Sequence, residues 1–237
     1  MYHNIFANEF ASRFYTQPLL GLVELLAILI GMKFVWNDNF GKLFICYLAT
    51  DLIFNFADWY MMANKSFTRK EVTTFTQHTN TIIALIELNV YYIFFRKVII
   101  QKRVLTLLYN IALFFSVSWI AISILNLQFI SKNNYYGSYI FYTIEIAFLL
   151  PPSVIYLLQI LKVNSEQSLF QRPSFWISIG IFFFSTISIP CYLLLSYLLK
   201  NGKAFIPVIE AILYYTPLII NVMFITKAFL CKRPLTI

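Results

Sequence analysis

Six of the ten acidic residues of this chain lie inside stretches that are otherwise apolar enough to cross a lipid bilayer. They are Glu24, Asp51, Asp58, Glu87, Glu145 and Glu210. A carboxylate near the bilayer centre costs about 2.5–3.5 kcal/mol on insertion scales, so six of them facing lipid would cost more than a typical fold can lose. We therefore expect these side chains to turn inward, toward one another, toward water or toward a ligand.

The composition is typical of a polytopic membrane protein. Hydrophobic residues make up 60% of the 237 residues and charged residues 12%, whereas a soluble domain has roughly 45–50% apolar and 25% charged residues. A chain of this length holds seven helices of about 20 residues with short loops and leaves no room for a separate soluble domain. The sequence predicts an all-α membrane bundle in which 1–237 form one domain.

Seven transmembrane spans are expected from length and hydropathy. They lie at about 17–35, 43–62, 79–99, 104–126, 138–161, 174–199 and 204–229. The pattern Glu-x-x-x-Tyr-Tyr begins at Glu87 in span three and at Glu210 in span seven. Spans five to seven could therefore be a duplicate of spans one to three, and this possibility stays open.

Two basic pairs indicate the orientation of the chain in the membrane. Arg96-Lys97 and Lys102-Arg103 flank one short turn between spans three and four. Because cytoplasmic loops carry an excess of lysine and arginine, we expect this turn and the C-terminus in the cytoplasm and the N-terminus outside. The expected location is the cell membrane, where the chain would be a multi-pass protein of a bacterial inner membrane. The net charge of +8 is explained by this sorting and does not indicate nucleic acid as a partner.

Helical spacing aligns polar residues into one stripe on each of several spans. Asp51, Asn55 and Asp58 are spaced i, i+4 and i+7, and the stripe of span seven runs from Glu210 to Asn221. By depth, the acids favour an outward-opening cavity that ends about halfway through the bilayer, with apolar and aromatic residues closing the inner half. The candidate cavity residues are Glu24, Asp51, Asn55, Asp58, Glu87, Tyr91, Glu145, Glu210, Tyr214 and Asn221.

A second interpretation of the acids is structural. Buried carboxyl groups in a membrane bundle can be protonated and hydrogen-bond neighbouring helices, at about 0.6 kcal/mol per bond. Six acids concentrated toward one side exceed what is needed to fasten a bundle, which favours a functional cavity.

Prolines interrupt three of the predicted spans. Pro151 and Pro152 in span five should break the helical hydrogen-bond ladder and free the carbonyls near 147 and 148, and Pro190 and Pro217 should do the same in spans six and seven. These prolines are candidate hinges, and the freed carbonyls beside an acid are candidate cation ligands.

Several chemistries are disfavoured. The only histidines, His3 and His78, lie outside the apolar spans, so a histidine-based zinc hydrolase is not expected. Carboxylates alone favour hard cations or protons, and the identity of any metal stays open. Walker and dinucleotide-binding motifs do not occur in the sequence, and we expect no cofactor.

Two segments carry a resemblance to known proteins. The opening of span six, Phe175-Trp176-Ile177-Ser178-Ile179-Gly180, and the end of span three, Phe94-Phe95-Arg96-Lys97, resemble a group of small seven-helix bacterial membrane proteins that have no established activity. The resemblance covers most of the chain. It implies a seven-helix membrane fold and no particular function.

Three functions are compatible with this pattern. The first is a binding or sensory module whose acidic cavity holds a small cationic or polar ligand and whose basic turn, Arg96 to Arg103, contacts a cytoplasmic signalling partner. The second is a proton- or cation-coupled transporter in which Glu87 and Glu210 exchange their cargo. The third is an intramembrane lipid-modifying enzyme. Binding is preferred over transport, and the protein is not expected to be an enzyme.

Overall fold

The computed structural model describes residues 2–64, 66–125, 135–162, 169–200 and 206–231, and within them the chain is helical without any strand. The all-α class predicted from the sequence is therefore confirmed for this part of the chain. The helices are α1 (Tyr2–Phe34), α2 (Asn39–Ala63), α3 (Arg69–Val98), α4 (Lys102–Leu125), α5 (Tyr135–Lys162), a short 3₁₀ helix (Leu169–Gln171), α6 (Pro173–Lys200) and α7 (Ile206–Phe229).

Five of these helices are long and apolar enough to cross a membrane. The five stretches are Thr16–Phe34, Asn39–Ala63, Tyr142–Lys162, Pro173–Leu195 and Ile212–Phe229. They overlap predicted spans one, two, five, six and seven. The stretches in α3 and α4 that match spans three and four are not among them, and α3 carries polar side chains such as Asn80 and Asn89 along its length. The count of seven spans and the orientation of the termini stay predictions.

Burial along α1 shows the polarity expected of a membrane bundle. Glu24 is fully buried, whereas its neighbours Leu22 and Leu25 are 54% and 44% exposed. The same inversion occurs on α2, where Asp51 is buried and Ile53 is 67% exposed. An outer surface of leucine and isoleucine around buried acids suits lipid outside and a polar interior, because a charged side chain facing lipid is costly.

Six helices close into a ring. In order around the ring they are α1, α2, α3, α5, α6 and α7, and α7 packs back against α1. Helix α4 lies outside this ring and packs on α3 and α5. The interior of the bundle is therefore built by six helices, and α4 supports it from one side.

Small residues bring neighbouring helices close together. A Cβ atom placed on Gly180 of α6 would lie 2.6 Å from the Cβ atom of Phe224 on α7. A Cβ atom on Gly31 of α1 would lie 2.8 Å from Ile45 on α2 and 2.9 Å from Phe229 on α7. Only glycine permits these distances, as is usual where membrane helices pack through small residues.

The connection between α3 and α4 is held by one side chain of α5. Gln159 donates from Nε2 to the carbonyl of Val98 at 3.0 Å and accepts from the backbone N–H of Ile100 at 2.9 Å. Both amide functions of Gln159 thus satisfy backbone groups that the helices leave unpaired at their ends. The turn between the two basic pairs is fixed to α5 by this contact.

A capping box begins α3. The side chain of Glu71 accepts from the backbone N–H of Thr68 at 2.7 Å, while the hydroxyl of Thr68 accepts from the backbone N–H of Glu71 at 3.3 Å. The backbone hydrogen bond from Thr68, aided by the Thr68 hydroxyl, holds the pKa of the Glu71 carboxyl below its ordinary value. This polar start of α3 contrasts with the apolar stretch that follows it.

The prolines of α5 do not end the helix. Helix α5 runs through Pro151 and Pro152, although neither proline has an N–H to donate to the preceding turn. The carbonyl of Phe148, four residues before Pro152, accepts a hydrogen bond from the hydroxyl of Tyr92 on α3 at 2.9 Å. The freed carbonyl predicted near 148 therefore has a partner from a neighbouring helix. Helices α6 and α7 likewise continue through Pro190 and Pro217, and a hinge at any of these prolines stays a prediction.

Candidate functional site

A cavity lies inside the ring and is lined by side chains from all six of its helices. The space between its walls, together with the open space at its mouth, amounts to about 500 Å³. The lining residues are Leu20, Tyr47, Asp51, Asn55, Asn80, Ile83, Ala84, Glu87, Tyr142, Glu145, Ile146, Phe184, Tyr192, Tyr214 and Leu218. The lining thus combines carboxyl groups, amides and tyrosines with apolar side chains. Lysine, arginine and histidine are absent among the described residues that line it.

Two glutamates present carboxyl oxygens that have no partner. Glu87 on α3 and Glu145 on α5 are 7% and 3% exposed. Within the described part of the chain, one oxygen of each, Oε1, is buried without a hydrogen-bond partner. Tyr47 on α2 interacts with the carboxyl group of Glu87. A buried polar atom without a partner is destabilising by about 1–3 kcal/mol, so these two oxygens mark a place where a ligand would be stabilising.

Asp51, the third acid of the cavity lining, belongs to a network between α1 and α2 that includes Glu24, which does not itself line the cavity. The amide nitrogen of Asn55 lies 3.3 Å from Oε1 of Glu24 and 3.3 Å from Oδ1 of Asp51. The carboxyl groups of Glu24 and Asp51 also interact directly. Two carboxyl groups in contact repel each other when both are charged, so a proton shared between them would stabilise the pair.

Tyrosines from three helices form one wall of the cavity. The rings of Tyr142 on α5 and Tyr192 on α6 meet at 6.1 Å with an interplanar angle of 64°, and Tyr192 stacks on Tyr214 of α7 at 5.6 Å. Of these three, only Tyr214 belongs to the candidate set predicted from the sequence. Tyr142 lies three residues before Glu145 and Tyr47 four before Asp51, so helical spacing could have added both; Tyr192 carries no such signal.

Tyr91 and Asn221 lie outside the cavity lining and bond to each other. Asn221 on α7 donates from Nδ2 to the hydroxyl of Tyr91 on α3 at 2.8 Å, and both side chains are buried. The ring of Tyr91 packs edge-on against Tyr47 and Phe44. This layer separates the cavity from the end of the bundle where α3 stops, which is filled by buried aromatic side chains such as Phe94.

Asp58 is buried but joins a different contact. Its carboxylate accepts from Nε2 of Gln17 on α1 at 2.6 Å and from the hydroxyl of Thr76 on α3. Asp58 is not among the residues that line the cavity. It fastens α1, α2 and α3 together, as the structural interpretation of the buried acids describes.

The remaining candidates lie elsewhere. The side chain of Glu210 lies outside the described residues, although its backbone belongs to α7. The basic side chains Arg96, Lys97, Lys102 and Arg103 are exposed at the turn between α3 and α4. The cavity lining occupies the middle of α3, and Arg96 follows Glu87 by nine residues, about 13.5 Å along the helix.

The acids whose side chains the structure describes do not converge into a metal centre. Within the described residues, no group of three or more histidine, cysteine, aspartate or glutamate side chains is arranged to hold a metal ion. The carboxyl groups are instead distributed around the cavity on α2, α3 and α5.

No family model, no curated protein and no solved structure matches this chain.

Proposed function

We propose that this protein is a multi-pass membrane protein that binds a small cation or cationic molecule in its central acidic cavity. The observation that supports this proposal is the pair of buried glutamates, Glu87 and Glu145, each with an unpartnered carboxyl oxygen. They line a cavity whose described lining contains no basic side chain. A bound cation would supply the missing partner to both.

The contrast with Asp58 supports ligand binding over a purely structural role. Asp58 is satisfied by Gln17 and Thr76, which is the pattern expected of an acid that only fastens helices. Glu87 and Glu145 each have one carboxyl oxygen without a hydrogen-bond partner, although buried polar groups in native proteins are nearly always hydrogen-bonded. An unsatisfied pair facing a cavity fits a binding site that is complete only with its ligand.

A thermal shift assay on the purified full chain in detergent tests this proposal. A ligand at a hundred times its Kd adds about 2.7 kcal/mol of stability, which is a shift of about 5–10 °C for a chain of this size. The panel contains Na⁺, K⁺, Mg²⁺, Ca²⁺ and tetramethylammonium. A cation-dependent shift that is lost in Glu87→Gln and Glu145→Gln supports the cavity.

The control is Glu71→Gln, because Glu71 is an exposed acid in the capping box of α3 and does not line the cavity. This variant should keep the full shift. Equal shifts of the melting temperature in all three variants would place cation binding elsewhere. No shift of the wild-type protein with any cation would contradict the proposal.

We propose that ligand binding is sensed at the cytoplasmic face through the turn between α3 and α4. Glu87 lies on α3, and the exposed pairs Arg96-Lys97 and Lys102-Arg103 follow on the same helix and the next. Gln159 links this turn to α5, which carries Glu145. Both glutamates of the cavity thus sit on helices that end at the basic turn, where an acidic partner would bind. In this proposal the protein lies in a bacterial cell membrane with its N-terminus outside.

A second candidate function is cation- or proton-coupled transport. Buried polar atoms without a partner also occur outside the cavity lining, at the hydroxyl of Ser178 on α6 and Oδ1 of Asn221 on α7. They would offer contacts to a cation or proton leaving the cavity. Purified protein reconstituted in liposomes should then carry cations or acidify the lumen, and Asn221→Leu should abolish the flux. Binding without flux favours the sensory role.

A further inference from the structure

The residues that line the cavity indicate which kind of cation would fit it. A metal ion needs several oxygen ligands at about 2.0–2.6 Å, converging on one point. Within the described residues no three acidic, histidine or cysteine side chains converge in this way. The acids Asp51, Glu87 and Glu145 are presented by three different helices around the cavity. This arrangement suits a cation whose charge is spread over a larger volume.

The aromatic wall supplies the second half of the recognition. Tyr142, Tyr192 and Tyr214 line the cavity from three successive helices. The rings of Tyr142 and Tyr192 form an edge-to-face pair at 64°, the tyrosine corner, which presents aromatic surface to the cavity in two orientations. Aromatic rings attract organic ammonium groups by the cation–π interaction, and aromatic cages are how proteins recognise alkylated ammonium ions.

Apolar side chains complete the lining. Leu20, Ile83, Ile146 and Phe184 belong to the same cavity as the acids. A hydrated inorganic ion gains nothing from apolar surface, whereas the methyl groups of an alkylammonium ion are stabilised by contact with it. Carboxyl groups, tyrosine rings and aliphatic side chains in one cavity are complementary to a ligand that is both charged and partly apolar.

We propose that the ligand of this cavity is a small alkylammonium ion, held between the carboxyl groups of Glu87 and Glu145 and the tyrosine corner of Tyr142 and Tyr192. This inference rests on the proposed cation-binding function and narrows its ligand class.

The first test compares two ligands of nearly the same shape on the wild-type protein. Choline and its neutral isostere 3,3-dimethyl-1-butanol differ in the charge of one atom. We expect isothermal titration of the full chain in detergent to detect choline and tetramethylammonium but not the neutral alcohol. Na⁺, K⁺, Mg²⁺ and Ca²⁺ are titrated in the same buffer.

The second test uses a matched pair of variants at one position of the tyrosine corner. Tyr192→Phe keeps an aromatic face, and we expect its Kd for tetramethylammonium to stay within about threefold of wild type. Tyr192→Leu keeps an apolar side chain without the ring, and its Kd should rise roughly tenfold or more. If Tyr192→Leu does not fold, the choline and alcohol comparison still decides the question.

The outcomes separate the two proposals. Binding of an inorganic cation through Glu87 and Glu145 without binding of any alkylammonium ion would overturn the ligand class and leave the cation site intact. Binding of the neutral alcohol as tightly as choline would show that shape and not charge is recognised, which contradicts both. Absence of binding by every cation in the panel removes both proposals together.

Discussion

The hydroxyl of Tyr92 on α3 donates to the backbone carbonyl of Phe148 on α5 at 2.9 Å. Phe148 precedes Pro152 by four residues, and proline has no N–H to offer to that carbonyl. Because an unsatisfied carbonyl in an apolar bundle is costly, the side chain of α3 compensates for a backbone defect in α5. This contact joins the two ring helices that carry Glu87 and Glu145.

We predict that Tyr92→Phe lowers the free energy of unfolding by about 1–3 kcal/mol, since it leaves the Phe148 carbonyl without a donor. In a Pro152→Ala background the restored N–H can serve that carbonyl, so the same substitution should be much less destabilising. Thermal or denaturant unfolding of the four proteins in detergent gives the coupling energy. An equal loss in both backgrounds would mean that the tyrosine does not compensate for the proline.

The two kinds of buried acid should respond oppositely to removal. Glu145→Leu removes a buried oxygen that has no hydrogen-bond partner, and a buried atom of this kind is destabilising. The substitution should therefore raise the melting temperature of the ligand-free protein, as stabilising substitutions at functional sites often do. Asp58→Leu leaves the amide of Gln17 and the hydroxyl of Thr76 without their acceptor. It should lower the free energy of unfolding by about 1–3 kcal/mol.

Both substitutions change a buried acid to leucine, so each serves as the control for the other. They are compared by thermal unfolding in the same detergent without added cations. A large loss of stability in Glu145→Leu would indicate that Glu145 is satisfied in the ligand-free protein, against the site described above.

Gln159 should protect the basic turn from proteolysis. Gln159→Leu removes the hydrogen bonds to Val98 and Ile100. We expect faster tryptic cleavage between α3 and α4, because the segment that carries the exposed lysines and arginines unfolds locally more often. Gln159→Glu keeps an acceptor for the N–H of Ile100 and should show an intermediate rate. Cleavage is followed by mass spectrometry of timed digests. Unchanged rates in both variants would show that the hydrogen bonds of Gln159 do not hold this turn in place.

Glu71 should make a pH-dependent contribution to stability. Its pKa is lowered in the folded protein, mainly by the backbone hydrogen bond from Thr68. The stabilisation is therefore fully present above the pKa of the unfolded chain and is lost as the pH falls through the lower pKa of the folded state.

Glu71→Gln has no titrating group at this position and supplies the reference. The difference in melting temperature between wild type and Glu71→Gln should be constant near pH 7 and should shrink as the pH falls through the lowered pKa of Glu71. Thr68→Ala should raise the pKa of Glu71 toward its ordinary value in an NMR titration. A pH-independent difference would show that the capping box does not depend on the charge of Glu71.

Periodicity and hydropathy predict much of the local structure. Predicted span 43–62 lies within α2 and span 174–199 within α6, while α1 and α3 begin well before spans 17–35 and 79–99. Hydropathy locates the apolar part of a helix, and polar residues can continue the same helix beyond it. Spacing also places Asp51 and Asn55 on one face of α2, where both line the cavity.

The sequence alone determined the helical class, the apolar stretches and the inward turn of the buried acids, because these follow from local spacing and from the free energy of placing charge in lipid. Asp58 shares a face with Asp51, but seven residues along a helix amount to about 10.5 Å, and at that level it meets Gln17 and Thr76. Only the tertiary structure decided this division. It also decided that α4 lies outside the ring and that Tyr192 enters the cavity, since a helix's own sequence does not specify which neighbours its faces will meet.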